Sequence, residues 1–131
     1  MRAAHVRGAP FWFKNARMPD PSTPHEHAPA LIVVQTTLPD EKSAEALARA
    51  LVEGGVAACV QASAITSTYR WEGGIERANE TRLDIKTTAG RLGALLALLR
   101  ADHPYDEPEL VVLPVAWASE GYRAWVAAET G

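Results

Sequence analysis

A chain of 131 residues is long enough for one hydrophobic core and too short for two. Apolar residues at 47% and charged residues at 22% describe an ordinary globular protein and exclude bulk disorder. A formal charge of −3, with no clustered basic face, argues against nucleic acid as a partner, since a phosphate backbone demands such a face.

Residues 1–29 read as a Pro-rich N-terminal extension and residues 30–131 as the folded domain. Five of the nine prolines (Pro10, Pro19, Pro21, Pro24, Pro29) and three of the four histidines fall in the extension. Phe11-Trp12-Phe13 is too short for a signal-peptide apolar region and is followed by Lys14 and Arg17, so the expectation is a cytoplasmic protein with no membrane partner. Met18 is a candidate alternative start. His25-Glu26-His27 sets two imidazoles on one side of an extended chain, a pattern that chelates Cu²⁺ or Ni²⁺ weakly and adventitiously.

The run Leu31-Ile32-Val33-Val34-Gln35-Thr36-Thr37 is apolar and β-branched and precedes a Pro-Asp turn signal, which predicts a first strand lying centrally in a sheet. Asp40 can cap a helix whose stripe is Ala44, Leu47, Ala48, Leu51 and Val52, ended by Gly54-Gly55. Val56 to Trp71 and Ile75 to Thr87 read as two long antiparallel strands joined at Gly73-Gly74. Strands of that length exceed the usual five or six residues, so the hairpin is expected to project beyond a small sheet and offer edges to another chain. The lone Cys59 permits no internal disulfide, and its neighbours Ala58 and Val60 predict a buried thiol of low reactivity.

Thr88 can cap a second helix carrying Leu92, Leu95, Leu96 and Leu99, followed by a strand over Leu110 to Val115 in which Pro114 marks an edge. Ser119 then opens a short helix with Tyr122, Trp125 and Val126 on one face. The order is βαββαβ plus a terminal helix. Crossovers on a mixed sheet, with helices on one face, predict an α+β, ferredoxin-like sandwich.

Between the second helix and the last strand lies His103-Pro104-Tyr105-Asp106-Glu107-Pro108-Glu109-Leu110. Each proline fixes its own φ and pushes the preceding residue toward extended backbone, so the helix cannot continue and the segment must be an ordered turn. His103 reads as a metal or anion contact or as a helix-end histidine bonding terminal carbonyls. Glu107 and Glu109 suit a hard ion, a pairing with Lys86, or equally a solvated turn with one carboxylate paired; Lys86 either binds an anion or pairs with Glu107 or Glu109, with the pair slightly preferred. Tyr69, Trp71 and Tyr105 suit the aromatic wall of a pocket between subunits or, compatibly, packing at such an interface. No Ser-His-Asp arrangement, phosphate loop or CxxC pair accompanies them, so an enzyme is not expected.

Tyr69-Arg70-Trp71-Glu72-Gly73, Ile85-Lys86-Thr87-Thr88, His103-Pro104-Tyr105 with Pro108-Glu109-Leu110, Leu38-Pro39-Asp40-Glu41 and Val56-Ala57-Ala58-Cys59, in that arrangement, resemble the CutA family of divalent-cation tolerance proteins over about residues 30–128. The resemblance implies a compact homotrimer, with hairpin strands pairing between subunits, and a role in tolerance of metal, copper especially. The family's proposed ligands are a cysteine late in the first strand and two adjacent histidines before Pro-Tyr. Thr36 and Asp102 stand at the matching positions here, and only His103 is kept. The expected metal contacts are therefore His103 and Glu109, toward copper or another divalent ion. The expected pocket is Tyr69, Trp71, Lys86, Tyr105 and Glu107. A second reading is a trimeric scaffold or signalling module, resembling the nitrogen-regulatory PII proteins in subunit architecture, that takes a small anion or a protein at the cleft between subunits.

Overall fold

The computed structural model describes residues 30–131; the expectations for the extension, including Met18 and His25-Glu26-His27, lie outside the described residues. Strand β1 spans Leu31–Leu38, helix α1 Glu41–Glu53, β2 Cys59–Trp71, β3 Gly74–Thr88, α2 Leu92–Asp102, β4 Val111–Pro114 and α3 Glu120–Thr130. The result is a mixed α+β domain with a four-stranded sheet in the order β2-β3-β1-β4.

Every neighbouring pair in the sheet is antiparallel, so the expectation of a mixed sheet is corrected. Strands β1 and β2 do run the same way, but β3 lies between them and opposes both. Helices α1 and α2 cover the face carrying Ile32, Val34, Leu83 and Ile85, where Leu47, Leu51, Leu95 and Leu99 complete the core. Burying each of these side chains contributes on the order of 1.5–3 kcal/mol. Helix α3 does not join them: Val126 packs with Leu31 and Ala58, and alternation along β1 places Leu31 on the face opposite Ile32.

Local chemistry explains the element ends. The Asp40 carboxylate accepts the Ser43 backbone N–H at 2.7 Å, satisfying one of the unpaired donors that open α1. Trp71 pairs with Gly74, so the hairpin loop is Glu72-Gly73, one residue earlier than expected. Both residues have positive φ, 46° and 83°, as a two-residue loop matched to strand twist requires. Thr88 opens a 3-10 turn, Ala89–Arg91, without a side-chain capping bond, and α2 starts only at Leu92.

Thr81–Thr88 of β3 pair with β1, and the rest of the β2–β3 hairpin runs past the end of β1. That overhang leaves Tyr69 and Trp71 on one face of the hairpin and Ile75 on the other, at 44%, 60% and 65% exposure. Among the described residues no helix is long and apolar enough to cross a membrane.

Candidate functional site

Helix α2 ends where Pro104 forces it to end. His103 donates its backbone N–H to Leu99 at 2.8 Å and then adopts extended backbone, φ −72° and ψ 133°, as a residue before proline must. This swings its imidazole onto β1. Nε2 lies 2.9 Å from Oγ1 of Thr36, a fully buried threonine, and Nδ1 accepts the Tyr105 backbone N–H at 3.1 Å. Burial holds the imidazole pKa below its ordinary value, opposed by a hydrogen bond with the Thr37 backbone.

Two residues on, the Tyr105 hydroxyl donates to Oε2 of Glu80 at 2.9 Å. Burial first, and then the hydrogen bond to Glu80, push the phenol up to about 12, so it remains a neutral donor through the physiological range. The turn is thereby fastened at two points, to β1 through His103 and to the projecting part of β3 through Tyr105.

Beneath it opens a groove of about 590 Å³. Thr37, Ser67, Ala78 and the aromatics Tyr69, Trp71 and Tyr105 form its walls, and Glu80, Asp106, Glu107 and Glu109 supply its charge. Among the described residues, the lining includes no lysine or arginine. Four carboxylates beside aromatic faces make a surface of negative potential, suited to a cation and unsuited to an anion.

Of the five expected pocket residues, Tyr69, Trp71, Tyr105 and Glu107 come together in this groove, and Glu109 joins them. Lys86 does not. It lies six residues along β3 from Glu80, about 20 Å at strand rise. There its ammonium donates to Oε1 of Gln61 at 2.9 Å and sits 5.9 Å from the centre of the Tyr122 ring. The expected pairing of Lys86 with Glu107 or Glu109 is not made, because register carries the lysine to the opposite end of the strand. His103 stands behind the groove and is not part of its lining. Among the described residues, no three His, Cys, Asp or Glu side chains gather closely enough to hold a metal ion, so these residues do not by themselves form a closed metal site.

Cys59 is half-buried at the start of β2, and burial raises its thiol pKa against the opposing charge of Lys86, in keeping with low reactivity. Glu80 escaped the sequence reading. The alternation of β3 puts it on one face with Ala78, but only the register against β1 shows that this face meets the turn. Thr36 stands out in the sequence only through the family resemblance, and no sequence signal pairs it with a histidine 67 positions away.

The family model for "CutA1 divalent ion tolerance protein" matches residues 32–129. Divalent-cation tolerance protein CutA of Pectobacterium atrosepticum is 41% identical over 96 residues, covering 72% of this chain and 87% of that protein. The crystal structure of CutA1 from Oryza sativa superposes with a TM-score of 0.76 at 34% identity, covering 79% of this chain and 96% of the other. The periplasmic divalent cation tolerance protein CutA from Archaeoglobus fulgidus gives 0.75 at 28% identity, covering 77% and 99%. This chain belongs to the CutA1 family of divalent ion tolerance proteins.

Proposed function

We propose that this chain is a homotrimeric divalent-cation tolerance protein that meets its ion, copper or another divalent metal, in the aromatic and carboxylate groove, with donors from a neighbouring subunit completing the set. The observation that carries the reading is that Glu80, Asp106, Glu107 and Glu109 line one groove that takes no basic side chain from the described residues. Oxygen donors of this kind favour harder ions over Cu⁺.

Assembly supplies what one subunit lacks. Strand β4 carries Val111, Val112 and Leu113 on one edge of the sheet, each about two-fifths exposed, while β2 forms the other edge and overhangs β1. Free edges with apolar side chains are stabilised by pairing with copies of the same chain. The order β2-β3-β1-β4 supports reading the subunit as a ferredoxin-like sandwich. The role proposed is binding rather than catalysis, in the cytoplasm.

The PII-like alternative, in its small-anion form, is not favoured, because Lys86 stands away from the groove and is engaged by Gln61. Sedimentation equilibrium and Zn²⁺ dialysis test the main reading together. Three times the 14.1 kDa subunit mass, with ion retained per trimer, is expected. A monomer, or a trimer that retains no ion, would reject it.

A further inference from the structure

We infer that His103 is a positioning residue, held as the neutral Nε2–H tautomer between Thr36 and Tyr105, and that it shapes the groove without touching the cation. The inference rests on the groove reading above for what the groove holds, but its geometry stands apart from that reading.

The tautomer follows from one bond. A backbone N–H can only donate, so Nδ1 of His103, which lies 3.1 Å from the Tyr105 nitrogen, must present its lone pair. The single proton of the neutral ring is then on Nε2, facing Thr36 Oγ1 at 2.9 Å. A metal needs a free imidazole lone pair. The one this ring has is already used, and the other nitrogen points into the buried end of β1, where Thr36 is fully enclosed. Among the described residues, His103 belongs to no group of three His, Cys, Asp or Glu side chains that could hold a metal ion.

The same bonds give the residue a task. The Tyr105 backbone is fixed by Nδ1, and its hydroxyl reaches Glu80, so the position of one groove carboxylate depends on the histidine two residues before the tyrosine. The two rings lie 5.4 Å apart at a tilt of 35°, which packs the imidazole against the phenol it orients. Thr36 suits this use, since a threonine hydroxyl accepts the Nε2 proton well and ligates metal poorly.

The test uses the full chain, ¹⁵N-labelled at histidine, with His103 assigned by its loss in His103→Asn. The ring should show an unprotonated Nδ1 and a protonated Nε2, unchanged by saturating Zn²⁺. Asparagine places an oxygen where Nδ1 stood. The Asn variant should therefore keep Zn²⁺ affinity within about twofold, while His103→Ala loses about fivefold, the worth of a hydrogen bond near 1 kcal/mol. Movement of either ring nitrogen on adding Zn²⁺, a protonated Nδ1 in the free protein, or equal losses in Asn and Ala would overturn the inference. If Zn²⁺ binds nowhere, the groove reading fails alone: the tautomer still decides the role of His103. The same holds if the alanine variant does not fold.

Discussion

The Tyr105 hydroxyl and the Glu80 carboxylate, 25 positions apart, meet at 2.9 Å and join the proline-bounded turn to the overhanging end of β3. A half-buried phenol bonded to a carboxylate is held neutral. Removing the hydroxyl in Tyr105→Phe should cost about 1 kcal/mol, and more where Glu80 is left without its donor. Urea unfolding of the two proteins measures the difference, and an unchanged midpoint would show that the bond contributes nothing.

The same bond sets a pH dependence. Tyr105 and Tyr122 both have folded pKa values of about 12, above the ordinary 10. A group whose folded pKa is raised contributes stability that is complete below its unfolded pKa and is lost as pH rises through the folded value. Stability should therefore fall between about pH 10 and 12, and the fall should be smaller in Tyr105→Phe. Absorbance titration of the phenols, with melting followed across the same range, checks both halves of the statement.

The hairpin loop offers a stabilising change. Glu72 occupies the left-handed region at φ 46°, where a side chain other than Asn, Asp or Gly is strained. Glu72→Asn creates the Asn-Gly pair preferred in such loops and should raise stability by about 0.5 kcal/mol, whereas Gly73→Ala, at φ 83°, should lower it by about 1 kcal/mol. Thermal melting ranks the three proteins.

In the core, Leu83 is wholly buried on the face that α1 and α2 cover. Leu83→Ala should cost about 2–5 kcal/mol, because the strand beneath it cannot close the cavity. Chemical denaturation reads this directly, and a loss below about 1 kcal/mol would mean that the sheet and helices repack freely around the site.

Much of the fold was legible because its signals are local. The stripe of Leu47 and Leu51, the cap at Asp40 and the break at Pro104 each declare themselves within a few residues, and the structure bears each one out. The hairpin loop lies one residue earlier than its strongest sequence signal, since Gly73-Gly74 is a stronger turn pair than Glu72-Gly73. Position along a strand was the harder matter. Lys86 and Glu80 alternate on one face of β3, yet they stand at opposite ends of the register, one beside Tyr122 and one beneath the turn. Only the pairing of Leu38 with Thr81, which fixes where β1 stops, separates them. The bond between Thr36 and His103 is hidden for the same reason, being a contact between distant segments that neither segment encodes alone.

The most direct test is calorimetric titration of Zn²⁺ and Cu²⁺ into the full chain and into its Glu107→Gln, Glu109→Gln double variant, at one salt concentration. If the groove carboxylates receive the ion, the double variant should bind at least about tenfold more weakly while keeping its assembly, a loss of about 1.4 kcal/mol. Equal binding by both proteins would place the ion elsewhere and contradict the role assigned to the groove.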